Sequence, residues 1–446
     1  MPQESFLVQA ITEIATPLAG TPQDFDPLLE RIGNARFVLL GEATHGTHDF
    51  YRLRAELTKR LVREKGFEAI AVEADWPDAY RINRYIRGAA IDADAVDALQ
   101  DFRRFPHWMW RNADVLDLVG WLRSHNDQIQ DPFRRVGFYG LDLYSLHSSM
   151  DAVLRYLDQR APEAAARARE RYACFDVFGP DPAHYGRALA LGVAEACEQE
   201  VLAQLVDLLR QRNELLRHDG MLAEDDLFDA EQNARVVASA EEYYRTMYVG
   251  EGSTWNLRDA HMAETLETLA HQLVQRGGAG KVVMWAHNSH VGDSAAMSHR
   301  ALRDEITIGH LVRRRHPRDA VLVGFTTYQG TVTAASDWGA PAERKAVGPA
   351  LPGSYEELFH RTGTNFMLML DALGEAAGAL HEPRLHRAIG VVYRPDTERQ
   401  SHYFYVDLPA QLDVVIHCDA TRALEPLERT SEWERGELAE TFPTGL

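Results

Sequence analysis

The sequence predicts an α/β protein with a mostly parallel sheet, and three observations carry that expectation. Between residues 36 and 144, apolar runs of strand length alternate with amphipathic segments of helical period, the pattern of right-handed βαβ units. The runs are continuously apolar, which is how strands buried on both faces read. Three such runs, one of them further along the chain, stop abruptly at residues that can do chemistry. They are Arg36-Phe-Val-Leu-Leu-Gly-Glu42-Ala-Thr-His45-Gly46, Ala69-Ile-Ala-Val-Glu73-Ala-Asp75 and Val282-Val-Met-Trp-Ala-His287-Asn288-Ser-His290. Sheets of this kind present ligands at the C-terminal ends of their strands. Glu42, His45, Glu73, Asp75, His287, Asn288 and His290 are therefore expected to form one site.

The elements follow in order. Residues 1 to about 30 read as a leading helix and a loop, broken by Pro17, Gly20, Pro22 and Pro27. After His45, the residues Phe50, Leu53, Leu57 and Leu61 define a buried helical stripe. A third strand is Val136-Gly-Phe-Tyr-Gly-Leu-Asp142. Residues 145–275 are rich in Ala, Leu, Glu and Arg and hold no convincing strand, with helical stretches at 162–171, 188–217 and 230–248. Pro162 suits the first position of its helix, where no backbone donor is needed. Strand signals return at 281–287 and 320–327, and mixed signals follow at 366–370, 390–393 and 414–417. At 446 residues the chain exceeds the usual size of one simple core. Residues 1–144 and 276–446 are accordingly expected to build the α/β core, and residues 145–275 a large all-helical insertion.

Composition narrows the partners. A net charge of -20 argues against nucleic acid and anionic membranes, since both need a basic face. No apolar run approaches the ~20 residues that span a bilayer. Cys174, Cys197 and Cys418 are too few for a disulfide framework and have no metal-binding spacing, so a reducing compartment is expected. The first residues, Met1-Pro-Gln-Glu-Ser-Phe-Leu, lack the basic and apolar parts of a signal peptide. A cytoplasmic location is the expectation. Oligomeric state leaves no trace in the sequence.

The candidate residues differ in what they can do. An imidazole with an ordinary pKa of about 6.5 takes a proton from water at neutral pH, so His45 is the expected general base. A carboxylate against its other nitrogen, from Glu42 or Glu73, would orient it. Arg54 falls on the buried stripe of its helix, whereas Arg52 points away. A charged residue there needs a partner, and Glu42, Glu73 or an anionic ligand could provide one. His287 is placed to act as a second acid or base, or as a donor to an oxyanion. Asp75, Asn288, His290, Trp255 and Arg258 are expected substrate contacts, although Asn288 also suits a turn and His290 a solvated loop. Tyr243, Tyr244, Met247 and Tyr248 form a stripe suited to core packing or to lining a cavity.

Other chemistries have weaker signals. His45-x-x-His48 and His287-x-x-His290 together with Glu73 offer ligand types for a divalent transition metal, with His45, Glu73 and His287 as the alternative ligand set. Neither pair has a recognised zinc spacing, and Pro383 interrupts the only zincin-like stretch, His381-Glu382. Gly292-Asp-Ser294-Ala-Ala296 lacks the final glycine of a nucleophile elbow, and Arg276-Gly-Gly-Ala-Gly280-Lys281 lacks the first glycine and the hydroxyl residue of a phosphate loop. The expected enzyme needs no cofactor; the alternatives are a metal-dependent hydrolase using the same His/Glu cluster and a non-catalytic small-molecule-binding protein that keeps the cleft without turnover.

Taken together these motifs resemble the erythromycin esterase family. The resemblance rests on Leu39-Leu-Gly-Glu42-Ala-Thr-His45-Gly46, Ala71-Val-Glu73-Ala-Asp75, Arg258-Asp259 with Met262, Trp285-Ala-His287-Asn288-Ser-His290-Val-Gly292, Arg387-Ala-Ile-Gly390-Val-Val-Tyr393 and Ser401-His402-Tyr403. It implies a three-layer α/β/α core with a large helical subdomain over the cleft. It also implies a hydrolase of macrolide lactones or other small-molecule esters, acting without metal. His45 would be the base, with Glu42, Glu73, Arg54 and His287 around it. From the residues and the resemblance together, Arg54 and His287 are expected to stabilise charge on the tetrahedral intermediate.

Overall fold

The apolar runs fold into strands. In chain order these are β1 (Thr16–Pro17), β2 (Phe37–Leu40), β3 (Ala69–Asp75), β4 (Gly137–Asp142), β5 (Val282–Trp285), β6 (Ala320–Ala334), β7 (Glu343–Val347), β8 (Phe366–Met369), β9 (Arg384–Arg387), β10 (Tyr403–Val406) and β11 (Val414–Thr421). They belong to a computed structural model of the chain that describes residues 2–215, 220–249, 253–301 and 303–435. The chain divides into two compact units.

The first unit comprises Met1–Ile70, Tyr85–Gly137 and Leu273–Leu446. Its sheet runs β1-β8-β11-β6-β2-β5. The four strands from β11 to β5 are parallel, and Val38 stands opposite both Val283 and Val321. β8 joins β11 antiparallel, and β1 joins β8 in the same sense. Every residue of β2 and of β5 is buried. Both faces of the sheet are therefore covered, the arrangement that continuous apolar runs require. The fold is α/β, as expected.

The helix His48–Lys65 buries Phe50, Leu53, Leu57 and Leu61, the stripe read from the sequence, and ends at Gly66 in the left-handed conformation. Two strand expectations are corrected. β6 does not stop near residue 327 but continues to Ala334, because its second half pairs antiparallel with β7 from Gly330 onward. Val332 and Ala334 there pack with Val347, Ile389 and Tyr393. The strand signal at 390–393 corresponds to single bridges, Thr44 with Ile389 and Ala335 with Val392, and to no strand.

The second unit comprises Ala71–Arg84 and Phe138–Gln272. It holds β4 and most of β3, which are neighbours. It also holds the helices Leu146–Arg160, Pro162–Tyr172, Pro182–Ala190, Glu198–Leu215 and Gly220–Val249 and most of the helix Thr254–Gln275. Pro162 does begin its helix. Val153, Leu157, Tyr185, Val237 and Ala240 belong to one buried cluster, and Tyr243 and Tyr244 join it as core residues while Met247 stays exposed. This unit also contains a disulfide that the sequence reading did not anticipate, between Cys174 and Cys197, 23 residues apart with Cα atoms separated by 6.1 Å. Three cysteines argue against a framework of bridges but leave one bridge possible. Cys418, in the first unit, is a free buried thiol whose pKa burial pushes up to about 12. Among the described residues no helix is long and apolar enough to cross a membrane.

One buried histidine of the second unit makes stability depend on pH. His261 bonds Ser239 Oγ through Nδ1 at 3.0 Å, and burial pushes its pKa down to about 4. The unfolded chain would then bind a proton near pH 6.5 while the folded chain resists until about 4. Stability from this group is complete above the unfolded value and is lost as pH falls through that window. At pH 5 the loss should be about 2 kcal/mol. Urea unfolding of His261→Asn is expected to show a correspondingly smaller difference between pH 7 and pH 5 than the native chain; equal differences would refute the assignment.

Candidate active site

The first unit builds its polar centre from two adjacent strand ends. Leu40 of β2 stands beside Trp285 of β5, and the pairing continues past both strands as Ala286 N–H bonds Leu40 O at 3.2 Å and Asn288 N–H bonds Glu42 O at 2.8 Å. Glu42 and His287 thus leave the sheet side by side. Two glycines permit the path. A Cβ on Gly41 would lie 2.1 Å from Asn288 Oδ1, and one on Gly46 would lie 1.8 Å from the Thr333 carbonyl oxygen.

Glu42, His45 and Arg54 form a buried relay. Arg54, 0% exposed, donates from a terminal guanidinium nitrogen to Glu42 Oε2 at 2.5 Å. Its guanidinium carbon lies 4.4 Å from the Tyr51 ring and 4.6 Å from the Trp285 ring, so two aromatic faces hold the cation as well. Glu42 Oε1 lies 2.9 Å from His45 Nδ1. An ionised carboxylate only accepts, so His45 Nδ1 carries the hydrogen and its Nε2 holds the lone pair when the ring is neutral. Nε2 meets no hydrogen-bond partner among the described residues, and His45 keeps 7% of its surface open. Both alternatives left open for Glu42 and Glu73 thereby resolve to Glu42, which binds Arg54 and His45 together. Arg54 is fully enclosed and committed to Glu42. Its expected place beside a tetrahedral intermediate is corrected to that of a clamp on the carboxylate.

His287 lies against His45, with ring centroids 4.8 Å apart. Its Nδ1 accepts from Ser289 N–H at 3.2 Å, which puts the hydrogen on Nε2, and Nε2 donates to the Ala43 carbonyl at 3.2 Å. Asn288 proves to be a structural tie: its side-chain amide donates to Phe325 O at 2.8 Å and accepts from Phe325 N–H at 3.3 Å. It is not presented to a ligand as a substrate contact would be. His290 is buried, not solvated, on the short helix Asn288–Val291. His48 turns to Asp114, with Nδ1 and Oδ2 2.8 Å apart. Among the described residues no group of three or more His, Cys, Asp and Glu is placed to hold a metal ion.

The second unit has its own polar cluster. Arg258, on the helix Thr254–Gln275, grips Asp142 at 3.0 Å through Nε and at 2.6 Å through a terminal nitrogen, and the same nitrogen reaches Glu73 Oε1 at 2.8 Å. Its guanidinium carbon lies 5.1 Å from the Tyr144 ring. Burial works to raise the Asp142 carboxyl, but the Arg258 charge overrides it and holds the group below the usual carboxylate range. Burial also pushes the Tyr144 hydroxyl well up. Arg258 is thus held by two carboxylates, more tightly than a simple substrate contact implies. Asp75 is buried at the end of β3, and Trp255 is half-buried in the first turn of the Arg258 helix. Asp142 was not among the candidates, although it ends an apolar run just as Glu73 does.

Comparison with known proteins agrees with this architecture. A family model described as erythromycin esterase matches residues 62–421. The YbfO protein of Bacillus subtilis (strain 168) is 20% identical over 343 residues, which cover 72% of this chain and 71% of that protein. A solved structure of a succinoglycan biosynthesis protein has a TM-score of 0.75 at 21% identity, covering 95% of this chain and 99% of that one. A mutant of the erythromycin esterase EreC in its open conformation has a TM-score of 0.64 at 18% identity, covering 92% of this chain and 97% of that one. At these identities the two solved structures show a shared fold.

Proposed function

This chain belongs to the erythromycin esterase family, and from that premise we propose that it hydrolyses an ester or lactone with water as the nucleophile. One observation carries the reading: the Arg54–Glu42–His45 relay, in which Glu42 holds Nδ1 and Nε2 meets no hydrogen-bond partner among the described residues. In the proposed cycle His45 Nε2 takes a proton from water as the oxygen attacks the substrate carbonyl. Glu42, accepting from Nδ1–H, stabilises the imidazolium as it forms. His287 is the neighbouring donor, and its Nε2–H exchanges the Ala43 carbonyl for the developing oxyanion. Collapse of the tetrahedral intermediate expels an alkoxide, which recovers the proton from His45. A carboxylic acid and an alcohol leave, or a single opened hydroxy acid if the substrate is a lactone.

Macrolactones are the substrate class suggested by the family, and simple acyl esters are the broader alternative within the same chemistry. The test is a panel of p-nitrophenyl acyl esters and macrolactones, including erythromycin, followed for acid release and ring opening by mass spectrometry. At least one compound is expected to be hydrolysed by the native chain and spared by His45→Asn. Silence across the panel, or equal turnover by both proteins, would reject the reading.

A further inference from the structure

The segment around Ile389 is bonded directly to the loop that carries His45. Ile389 N–H donates to the Ala43 carbonyl at 2.7 Å, and His45 N–H donates back to the Ile389 carbonyl at 3.3 Å. The Ala43 oxygen also accepts from His287 Nε2. One buried backbone segment, with Ile389 at 0% exposure, therefore sets the main chain of His45 and shares a hydrogen-bond acceptor with His287.

That segment is in turn held by one side chain. Arg387 is 0% exposed and spends its guanidinium on the frame. It donates to the carbonyls of Thr327 at 3.3 Å, Tyr328 at 2.9 Å and Gly348 at 2.9 Å, and its Nε faces Glu398 at 3.0 Å. Its own N–H bonds Glu356 Oε1 at 2.9 Å, and its guanidinium carbon sits 5.3 Å from the Tyr403 ring. The next residue, Ala388, donates to the His402 carbonyl at 2.8 Å. Two C-terminal motifs that contain none of the relay residues thus converge on the strap that positions it.

We propose that Arg387, supported by Glu398, is a positioning residue for the His45–Glu42 pair and acts through the backbone of Ile389. Lysine at this position keeps the charge but carries its three donors on one nitrogen, so it cannot reproduce the fork that reaches the carbonyls and Glu398 from three separate nitrogens. The strap would then drift, and displacements of about 1 Å at reacting groups lower rates by up to ~10²-fold. The catalytic part of the proposal rests on His45 being the base; the structural part does not.

The experiment uses full-length Arg387→Lys, with Arg384→Lys as the control. Arg384 lies on the same strand, and its guanidinium pairs with Glu4. Two quantities are read: kcat and KM on p-nitrophenyl butyrate, and the downfield proton resonance of His45 Nδ1–H, assigned by its loss in His45→Asn. For Arg387→Lys, kcat is expected to fall roughly ten-fold or more with KM within about two-fold, and the resonance to move. Arg384→Lys should match the native chain in both. A folded Arg387→Lys with native kcat, or with lowered kcat and an unmoved resonance, overturns the proposal. Should Arg387→Lys fail to fold, Glu398→Gln is judged by the same criteria, with a smaller loss expected. If the native chain leaves p-nitrophenyl butyrate intact, the resonance alone decides, so failure of the ester reading and failure of the strap remain distinguishable.

Discussion

His45→Asn should lower turnover of any ester that the native chain hydrolyses by ~10²–10⁴-fold while leaving the fold intact. Asparagine is the informative replacement because its amide nitrogen falls close to the place of Nδ1. It can still donate to Glu42 Oε1, which in the native chain lies 2.9 Å from the ring. The buried carboxylate therefore keeps both of its partners, and the variant isolates loss of Nε2 from loss of structure. Glu42→Gln asks the complementary question. It keeps the base but replaces an acceptor-only group with an amide that can orient either way, so the imidazole loses its fixed tautomer and its counter-charge. A loss in the same range is expected, with KM less affected than kcat. Circular dichroism and the unfolding midpoint would establish that both proteins are folded. Turnover within about three-fold of native in His45→Asn would remove this residue from the chemistry.

How much of this was legible in the sequence depends on the kind of contact involved. Glu42, His45 and His287 could be found because buried parallel strands read as apolar runs, and the residues just past such runs stand at the sheet's ligand edge. Arg54 could be found because a charge on a buried helical stripe demands a partner. Which carboxylate answered it was not legible, since that depends on strand order. The same limit hid Asp142: its run was recognised, but nothing local shows that Arg258, 116 residues later, would close on it. Asn288 was misjudged because an amide that ties two backbones and one that binds a ligand look alike in sequence. The role of Ile389 is carried by its amide and carbonyl, which every residue but proline possesses, so only its neighbours' resemblance to a family motif marked the place. The bridge between Cys174 and Cys197 likewise has no local signature.

The largest loss of stability is expected from Arg54→Met. Methionine fills much of the volume and can lie between the Tyr51 and Trp285 rings, so little cavity should open. What disappears is the charge beside Glu42, a carboxylate only 1% exposed. Breaking a buried pair by removing one partner typically costs ~3–5 kcal/mol, because the survivor is left desolvated and uncompensated. The two aromatic contacts of the guanidinium add to that cost. The mechanism of the loss can be separated from mere repacking by a double-mutant cycle. If the penalty belongs to the stranded carboxylate, then adding Glu42→Gln to Arg54→Met should return part of the stability, making the double variant more stable than Arg54→Met alone. Pure packing damage predicts the opposite, a double variant no better than the single one. Stability is read from urea unfolding at pH 7, where an ordinary carboxylate is ionised. A single variant within about 0.5 kcal/mol of native would mean that His45 alone suffices for Glu42, and that Arg54 is not what holds the relay in place.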